Sequence, residues 1–291
     1  FRVFLWNSET NQFLGRTAGS WAKILLFYLC FYAVLIAFFS ALLAIFYQTL
    51  DLRVPKWQLE SSLIGNNPGL GFRPMPPESH VESTLIWYKK SEQNYATWTQ
   101  KLDDFLLPYR EPNKEFELNV VDCEYDKEKE PGKVCRVDIS SWTPCIKDKS
   151  YSYDRGTPCI FLKLNKIYNW QPQFYNDSSN LPKNMPQDLQ RHIGSEANQK
   201  ALNTVWVSCE GENPADIENI GSIQYIPRRG FPGYYFPFKN DDGYQQPIIA
   251  IWFEKPASGV LINIECKAWA HNIIHDRAER RGSVHFELMI D

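Results

Sequence analysis

Ile24-Leu25-Leu26-Phe27-Tyr28-Leu29-Cys30-Phe31-Tyr32-Ala33-Val34-Leu35-Ile36-Ala37-Phe38-Phe39-Ser40-Ala41-Leu42-Leu43-Ala44-Ile45-Phe46-Tyr47 carries no charge, and Ser40 is its only clearly polar side chain. As a helix rising about 1.5 Å per residue it spans roughly 36 Å, slightly more than the ~30 Å hydrocarbon core of a bilayer. A soluble core helix of this length would show a polar face, and this one has none. The pattern predicts a transmembrane helix. No small-residue cleavage site follows, so an anchor is expected rather than a removed signal peptide.

The two sides of this helix differ. Tyr28, Phe31, Tyr32, Leu35, Phe38 and Phe39 recur at spacings of three and four and share one face. Ala33, Ala37, Ala41 and Ala44 occupy the opposite face, where small side chains let a second helix approach closely. A tyrosine in hydrocarbon needs a partner for its hydroxyl. The expectation is a helix that packs against other transmembrane helices. The plainer reading is a generic anchor whose tyrosines reach the headgroups.

Flanking charge hardly orients the helix: Arg2, Arg16 and Lys23 stand before it, Arg53, Lys56 and Arg73 after it. Cysteine usage is more telling. Of seven cysteines, Cys30 lies in the helix, while Cys123, Cys135, Cys145, Cys159, Cys209 and Cys266 all follow it. An even set in one segment predicts three disulfides and an oxidising compartment, with 15 pairings open. A sequon, Asn176-Asp177-Ser178, falls in the same segment. The expected organisation is a cytoplasmic segment over 1–23, a transmembrane helix over 24–50, an extracellular linker over 51–90 and an extracellular β domain over 91–291. That is a single-pass type II protein.

Within 1–23, Trp21 and Lys23 suit a membrane interface. Leu50 to Glu60 is a candidate outward continuation of the helix, opposed by Pro55, and the Gly-, Pro- and Asn-rich stretch Asn66 to Pro77 reads as extended linker. Ser91 to Leu107 places Tyr95, Trp98, Leu102, Phe105 and Leu106 on one helical face, with Ser91 as N-cap and Pro108 as stop. From about 119 onward the period becomes two. Val134–Ile139, Cys159–Leu164 and Thr204–Cys209 are strand candidates. So are the runs holding Val260, Ile262, Ile264 and Cys266, and Val284, Phe286, Leu288 and Ile290. The class predicted is mainly β with one attached helix, a sandwich in which Cys209 and Cys266, both on apolar strand faces, would suit a bond between or within sheets of an immunoglobulin-like arrangement.

Catalytic signatures are missing. No G-x-x-x-x-G-K-[ST], H-E-x-x-H, G-x-S-x-G or C-x-x-C occurs. His271 and His275 are four apart but no third ligand stands near them, so no metal and no cofactor is expected. Asp241-Asp242-Gly243 reads as a turn and Asp103-Asp104 as the solvated face of a helix. A formal net charge of −3 gives no support for nucleic-acid binding. The Asp-Lys-Thr-Gly phosphorylation motif of P-type pumps and the Asp-x-Asp of many glycosyltransferases are also absent. Phe231-Pro232-Gly233-Tyr234-Tyr235-Phe236-Pro237-Phe238 packs five aromatic rings into eight residues. These rings either fill the domain's own core or, through Phe231, Tyr234, Tyr235, Phe236 and Phe238, form a recognition surface.

Several runs resemble one family. Phe13-Leu14-Gly15-Arg16-Thr17 with Ser20-Trp21 and Lys23-Ile24-Leu25-Leu26-Phe27-Tyr28 is similar to the membrane-proximal signature of the β subunits of sodium/potassium-transporting ATPases. So are Tyr151-Ser152-Tyr153-Asp154-Arg155-Gly156-Thr157-Pro158-Cys159 with Lys163-Leu164-Asn165, Gly230-Phe231-Pro232 with Tyr234-Tyr235-Phe236-Pro237, Gln246-Pro247, and Ile264-Glu265-Cys266-Lys267-Ala268. Ser152 stands where the family usually has Gly. The resemblance implies a non-catalytic glycoprotein partner of a multi-pass P-type ATPase α subunit, with an immunoglobulin-like ectodomain. It implies disulfides between sequence neighbours, Cys123–Cys135, Cys145–Cys159 and Cys209–Cys266. It implies an aromatic transmembrane face, here Tyr28, Phe31 and Tyr32, packed on the α subunit, and leaves room for a small single-span regulatory subunit. The β subunit of a proton/potassium ATPase is the close alternative; the single sequon favours the sodium pump. A surface ectoenzyme and a single-pass adhesion glycoprotein are the readings from other classes.

Overall fold

The computed structural model describes residues 6–7, 9–77, 79, 83–112, 114–127, 129–279 and 281–291. Arg2, one of the flanking charges weighed above, lies outside the described residues. The chain divides into two compact units, Phe1–Lys56 and Trp57–Asp291.

In the first unit, three two-residue strands, β1 (Trp6–Asn7), β2 (Gln12–Phe13) and β3 (Arg16–Thr17), form an antiparallel meander. The helix α1 (Ala18–Gln48) follows directly. The Trp21 indole N–H donates to the Phe13 carbonyl at 2.8 Å, tying the meander to the first turn of α1. Thr49 ends the helix: its hydroxyl donates to the Phe46 carbonyl at 2.7 Å, satisfying one of the carbonyls left open at a helix terminus. The helix does not run on to Glu60, because beyond Leu50 the chain turns, with Asp51 accepting from the amides of Arg53 and Val54 ahead of Pro55.

The second unit is a β sandwich. One sheet holds, in spatial order, β10 (Ile223–Ile226), β12 (Ile248–Phe253), β8 (Cys159–Leu164) and β4 (Leu70–Arg73). The other holds β11 (Gly230–Pro232), β9 (Thr204–Gly211), β13 (Leu261–Trp269), β14 (Ser283–Ile290) and β5 (Leu85–Tyr88). All pairs are antiparallel except β5 on β14. Alternation sets the faces: Ile262, Ile264 and Cys266 of β13 and Phe286, Leu288 and Ile290 of β14 are fully buried. Phe72 of β4 and Phe253 of β12 reach Phe286 from the opposite sheet, at ring separations of 5.1 and 6.4 Å. Much of the stretch expected as linker is therefore built into the sandwich, since β4 and β5 both fall before residue 90.

The helix α2 (Glu92–Arg110) buries Trp98, Leu102 and Leu106, with Tyr95 and Phe105 packed beside them. Ser91 holds the N-cap position without a side-chain cap bond, and Pro108 lies inside the last turn rather than ending the helix. A proline there removes one bond near an end that frays anyway. The strand expected over 134–139 shrinks to β7 (Val134–Cys135), parallel to β6 (Val120–Val121). Beyond it the Val137 amide donates to the Gln245 side chain, so no strand partner is needed. The connection from Asn169 to Asn203 contains α3 (Gln187–Ser195), whose Leu189 and Ile193 join Met185, Leu202, Trp206 and Trp269 in a second, smaller core. A short helix, α4 (Pro214–Asn219), follows β9.

Candidate functional site

The helix α1 has no buried residue: Tyr28, Phe31, Tyr32, Leu35, Phe38 and Phe39 are all exposed, as are Ala33, Ala37, Ala41 and Ala44. At 100° per residue the aromatic set and the alanine set point about 180° apart. Helical spacing stacks the rings into a ladder: Phe27 on Phe31 at 6.2 Å, Tyr28 on Tyr32 at 6.1 Å, and Phe31 edge-on to Tyr32 at 5.4 Å. Such i, i+4 pairs stiffen the face they form. This is the one helix among the described residues long and apolar enough to cross a membrane.

The aromatic run after β11 looks mostly inward. Phe231 pairs with Val205 across the sheet and is 0% exposed, so it offers no contact surface. Its expected role as a contact residue is corrected by its position in β11, where the pleat turns the ring into the core. The other four rings are half-buried and join neighbouring loops. Tyr234 meets Tyr125 edge-on at 5.2 Å, and the Tyr235 hydroxyl donates to the Arg136 carbonyl at 2.9 Å. Phe236 packs on Trp170 at 5.6 Å, and Phe238 on Tyr244 at 4.7 Å. Burial pushes the phenol pKa of Tyr235 and Tyr244 well up, so both stay neutral donors. Each of the four remains partly exposed.

The cysteines join as Cys123–Cys135, Cys145–Cys159 and Cys209–Cys266, with Cα separations of 5.4, 5.6 and 4.0 Å. Cys209 and Cys266 stand directly opposite each other on β9 and β13, so their bond braces one sheet. It does not cross the sandwich as the inter-sheet bond of antibody domains does. Cys145–Cys159 ties the loop that covers α2 to the start of β8. Cys30 is free and exposed on α1.

Asp103 is not a solvated carboxylate, although its neighbour Asp104 is exposed. Its side chain is 25% exposed and accepts from the Tyr151 hydroxyl at 2.6 Å, Arg110 Nη1 at 3.0 Å and Lys147 Nζ at 3.3 Å. Burial raises its pKa, but the hydrogen bonds from Tyr151, Lys147 and Arg110 outweigh it and hold the carboxyl below its ordinary value. This hub locks α2 to the Lys147–Arg155 turns. The seven-residue spacing from Asp103 to Arg110, two turns on one face, was the available sequence signal. His271 lies against the Tyr175 ring at 4.0 Å and His275 Nε2 sits 2.7 Å from the Ala268 carbonyl. Among the described residues no three metal-ligating side chains converge. Asp241–Gly243 forms a turn closed by the Tyr244 amide on the Asp241 carbonyl at 3.2 Å, with Gly243 at φ +84°. Asn176 and Ser178 are exposed.

Comparison with known proteins agrees with this layout. The family model described as sodium/potassium ATPase beta chain matches residues 1–286. The chain is 54% identical over 295 residues to sodium/potassium-transporting ATPase subunit beta-2 of Drosophila melanogaster, covering all of this chain and 91% of that protein. It is 39% identical over 293 residues to subunit beta-1 of the same organism, covering 100% and 93%. With subunit beta-2 of Homo sapiens it shares 31% identity over 309 residues, covering 100% and 94%. The chain belongs to the sodium/potassium ATPase beta chain family, and the one long apolar helix among its described residues fits a single-pass membrane protein.

Proposed function

We propose that the chain is a non-catalytic partner of a P-type ATPase α subunit in a pump that exports sodium and imports potassium at the plasma membrane. The observation that carries this reading is the two-faced helix. Among the described residues the Tyr28 and Tyr32 hydroxyls have no hydrogen-bond partner. Both sit on the aromatic ladder, Tyr28 at its end beside Arg16 and Lys23 and Tyr32 one turn deeper, in a segment that lipid surrounds wherever protein does not. Partner helices would satisfy the hydroxyls on the aromatic side. The alanine side offers close approach to another helix, including a small single-span regulatory subunit. The helix has room for no ion path of its own, so the transport chemistry belongs to the partner.

In this reading the segment before the helix is cytoplasmic and the disulfide-braced sandwich is extracellular, with Asn176 glycosylated. The helix covers α-subunit surface and so stabilises that subunit during folding and delivery. The exposed parts of Tyr234, Tyr235, Phe236 and Phe238 contact the pump's extracellular loops. Those loops move during the transport cycle, so a contact that differs in strength between states shifts the equilibrium between them, and potassium affinity with it. Affinity capture of the full chain from native membrane in mild detergent tests the proposal. Capture of a P-type α subunit with ouabain-sensitive ATPase activity supports it. An ouabain-insensitive, proton-pumping partner would instead support the proton/potassium alternative, and no ATPase at all would contradict both.

A further inference from the structure

We propose that the pocket beside β4 is a binding site for a small tetrahedral oxyanion, sulfate or phosphate, held between Arg73 and Lys163. The two residues project from neighbouring strands: Gly71 pairs with Lys163 and Arg73 with Phe161. Leu70 and Phe72 turn inward, which leaves Gly71 and Arg73 on the outer face. Lys163 lies down across Gly71. A Cβ there would stand 3.3 Å from its Cε, so glycine gives the lysine stem its bed. Arg73 is held from the other side, its guanidinium 5.6 Å from the Phe105 ring centre and its Nη1 donating to the Phe72 carbonyl at 2.8 Å.

Both cations are half-buried, and among the described residues neither meets a carboxylate. Burial lowers the proton affinity of both, and repulsion from Arg73 and Lys166 lowers that of Lys163 further. Buried or half-buried charge is normally paired, and an unpaired like-charge couple is a cost that an anion removes. The walls suit that occupant. The cavity holds about 290 Å³ and is lined by Ser83, Thr84 and Asn165 as well as the two cations. That is the size of a small ligand rather than a peptide. The Ser83 hydroxyl accepts from the Leu85 amide at 3.2 Å, which leaves its own hydrogen available to donate to a ligand. His285 also lines the wall but is engaged with Glu212 at 2.6 Å and lies 3.7 Å from Glu287. The larger groove outside β9 and β10, about 690 Å³, offers no comparable surplus, because its Arg229 and Arg228 pair with Asp188 and Glu196.

The test uses the full chain in detergent, titrated at constant ionic strength with sulfate, phosphate and N-acetylglucosamine 6-sulfate by calorimetry. Thermal unfolding is followed in parallel. The expected result is saturable binding that weakens at least tenfold in Lys163→Gln and in Arg73→Gln and persists in Lys163→Arg and in the exposed control Lys149→Gln. In chloride alone, Lys163→Gln should unfold no lower than the parent chain, since it relieves repulsion. A sulfated sugar binding tenfold tighter than free sulfate assigns the site to an anionic saccharide; equal binding assigns it to the free ion. Absence of saturable binding, or binding that both Gln variants retain within twofold, overturns the proposal. Sulfate stabilises most proteins nonspecifically, so a thermal shift shared by all variants also counts against it.

Discussion

Replacing Asp103 with Asn tests how the outer face of the sandwich is held. The carboxylate takes three bonds, from Tyr151, Arg110 and Lys147, and two of the donors are charged. The amide keeps an acceptor for Tyr151 but loses the charge that pairs with Arg110 and Lys147. Hydrogen bonds to charged groups contribute about 1.5–3 kcal/mol, and exposed ion pairs about 0.2–1 kcal/mol. Lys147 is 62% exposed, so its share is at the lower end. The net loss expected for Asp103→Asn is roughly 1–2 kcal/mol at pH 7, which lowers the unfolding midpoint by about 2–8 °C for a unit of this size. The pH dependence gives the sharper check. The carboxyl is held below its ordinary value in the folded chain, so its contribution is fully present above the unfolded carboxyl pKa of about 3.9. It is lost as pH falls through the lower folded value. Unfolding of the full chain in detergent, followed by tryptophan fluorescence from pH 7 to pH 2.5, should show the two proteins converging below about pH 4. A destabilisation under about 0.3 kcal/mol at pH 7, or one unchanged at pH 2.5, would refute the assignment.

Three further outcomes follow from the same geometry. Phe231→Ala should cost about 3–5 kcal/mol and reduce the amount of folded chain without altering partner affinity in the molecules that do fold, because the ring is entirely internal. Pulse-chase yield alongside capture of the α subunit would separate the two effects. Reduction of the disulfides in an assembled complex should change potassium occlusion, since the braced sheets would no longer hold the half-buried aromatic edges in place; unchanged occlusion counts against state-dependent contact. Asn176→Gln should abolish a mobility shift on enzymatic deglycosylation, and a persisting shift would place the glycan elsewhere.

The elements most legible in the sequence were those whose pattern is imposed by a single strong solvent boundary. The stretch of α1 over 24–47 carries no charge, as a helix long and apolar enough to cross a bilayer requires. The strands β13 and β14 alternate because one face is in the core, while β8 and β9 read as apolar-rich runs because they are buried almost throughout. β4 was hidden because Leu70-Gly71-Phe72-Arg73 is short and sits among Gly and Pro, and only its place at a sheet edge makes it a strand. α3 lies inside a polar connection, where only Met185, Leu189 and Ile193, spaced at helical intervals, mark it. Contact roles were harder to read. The run from Phe231 to Phe238 looks the same whether it faces a partner or the core, and only the pairing of Phe231 with Val205 decides that ring. Asp103 and Arg73 were similarly opaque, since their settings depend on residues 40 to 90 positions away: Lys147 and Tyr151 for the first, Lys163 for the second.

The account depends most on what the aromatic side of α1 touches. Its direct test is capture of the α subunit by full chains carrying Tyr28→Leu with Tyr32→Leu, against chains carrying Leu25→Ile with Leu29→Ile. Intramembrane hydrogen bonds are worth about 0.6 kcal/mol on average and at most about 1.7. The tyrosine pair should therefore lower α-subunit recovery by roughly threefold to tenfold, while the leucine pair leaves it unchanged. Equal recovery from both, with the tyrosine variant reaching the cell surface normally, would contradict the claim that this face is a partner-binding surface.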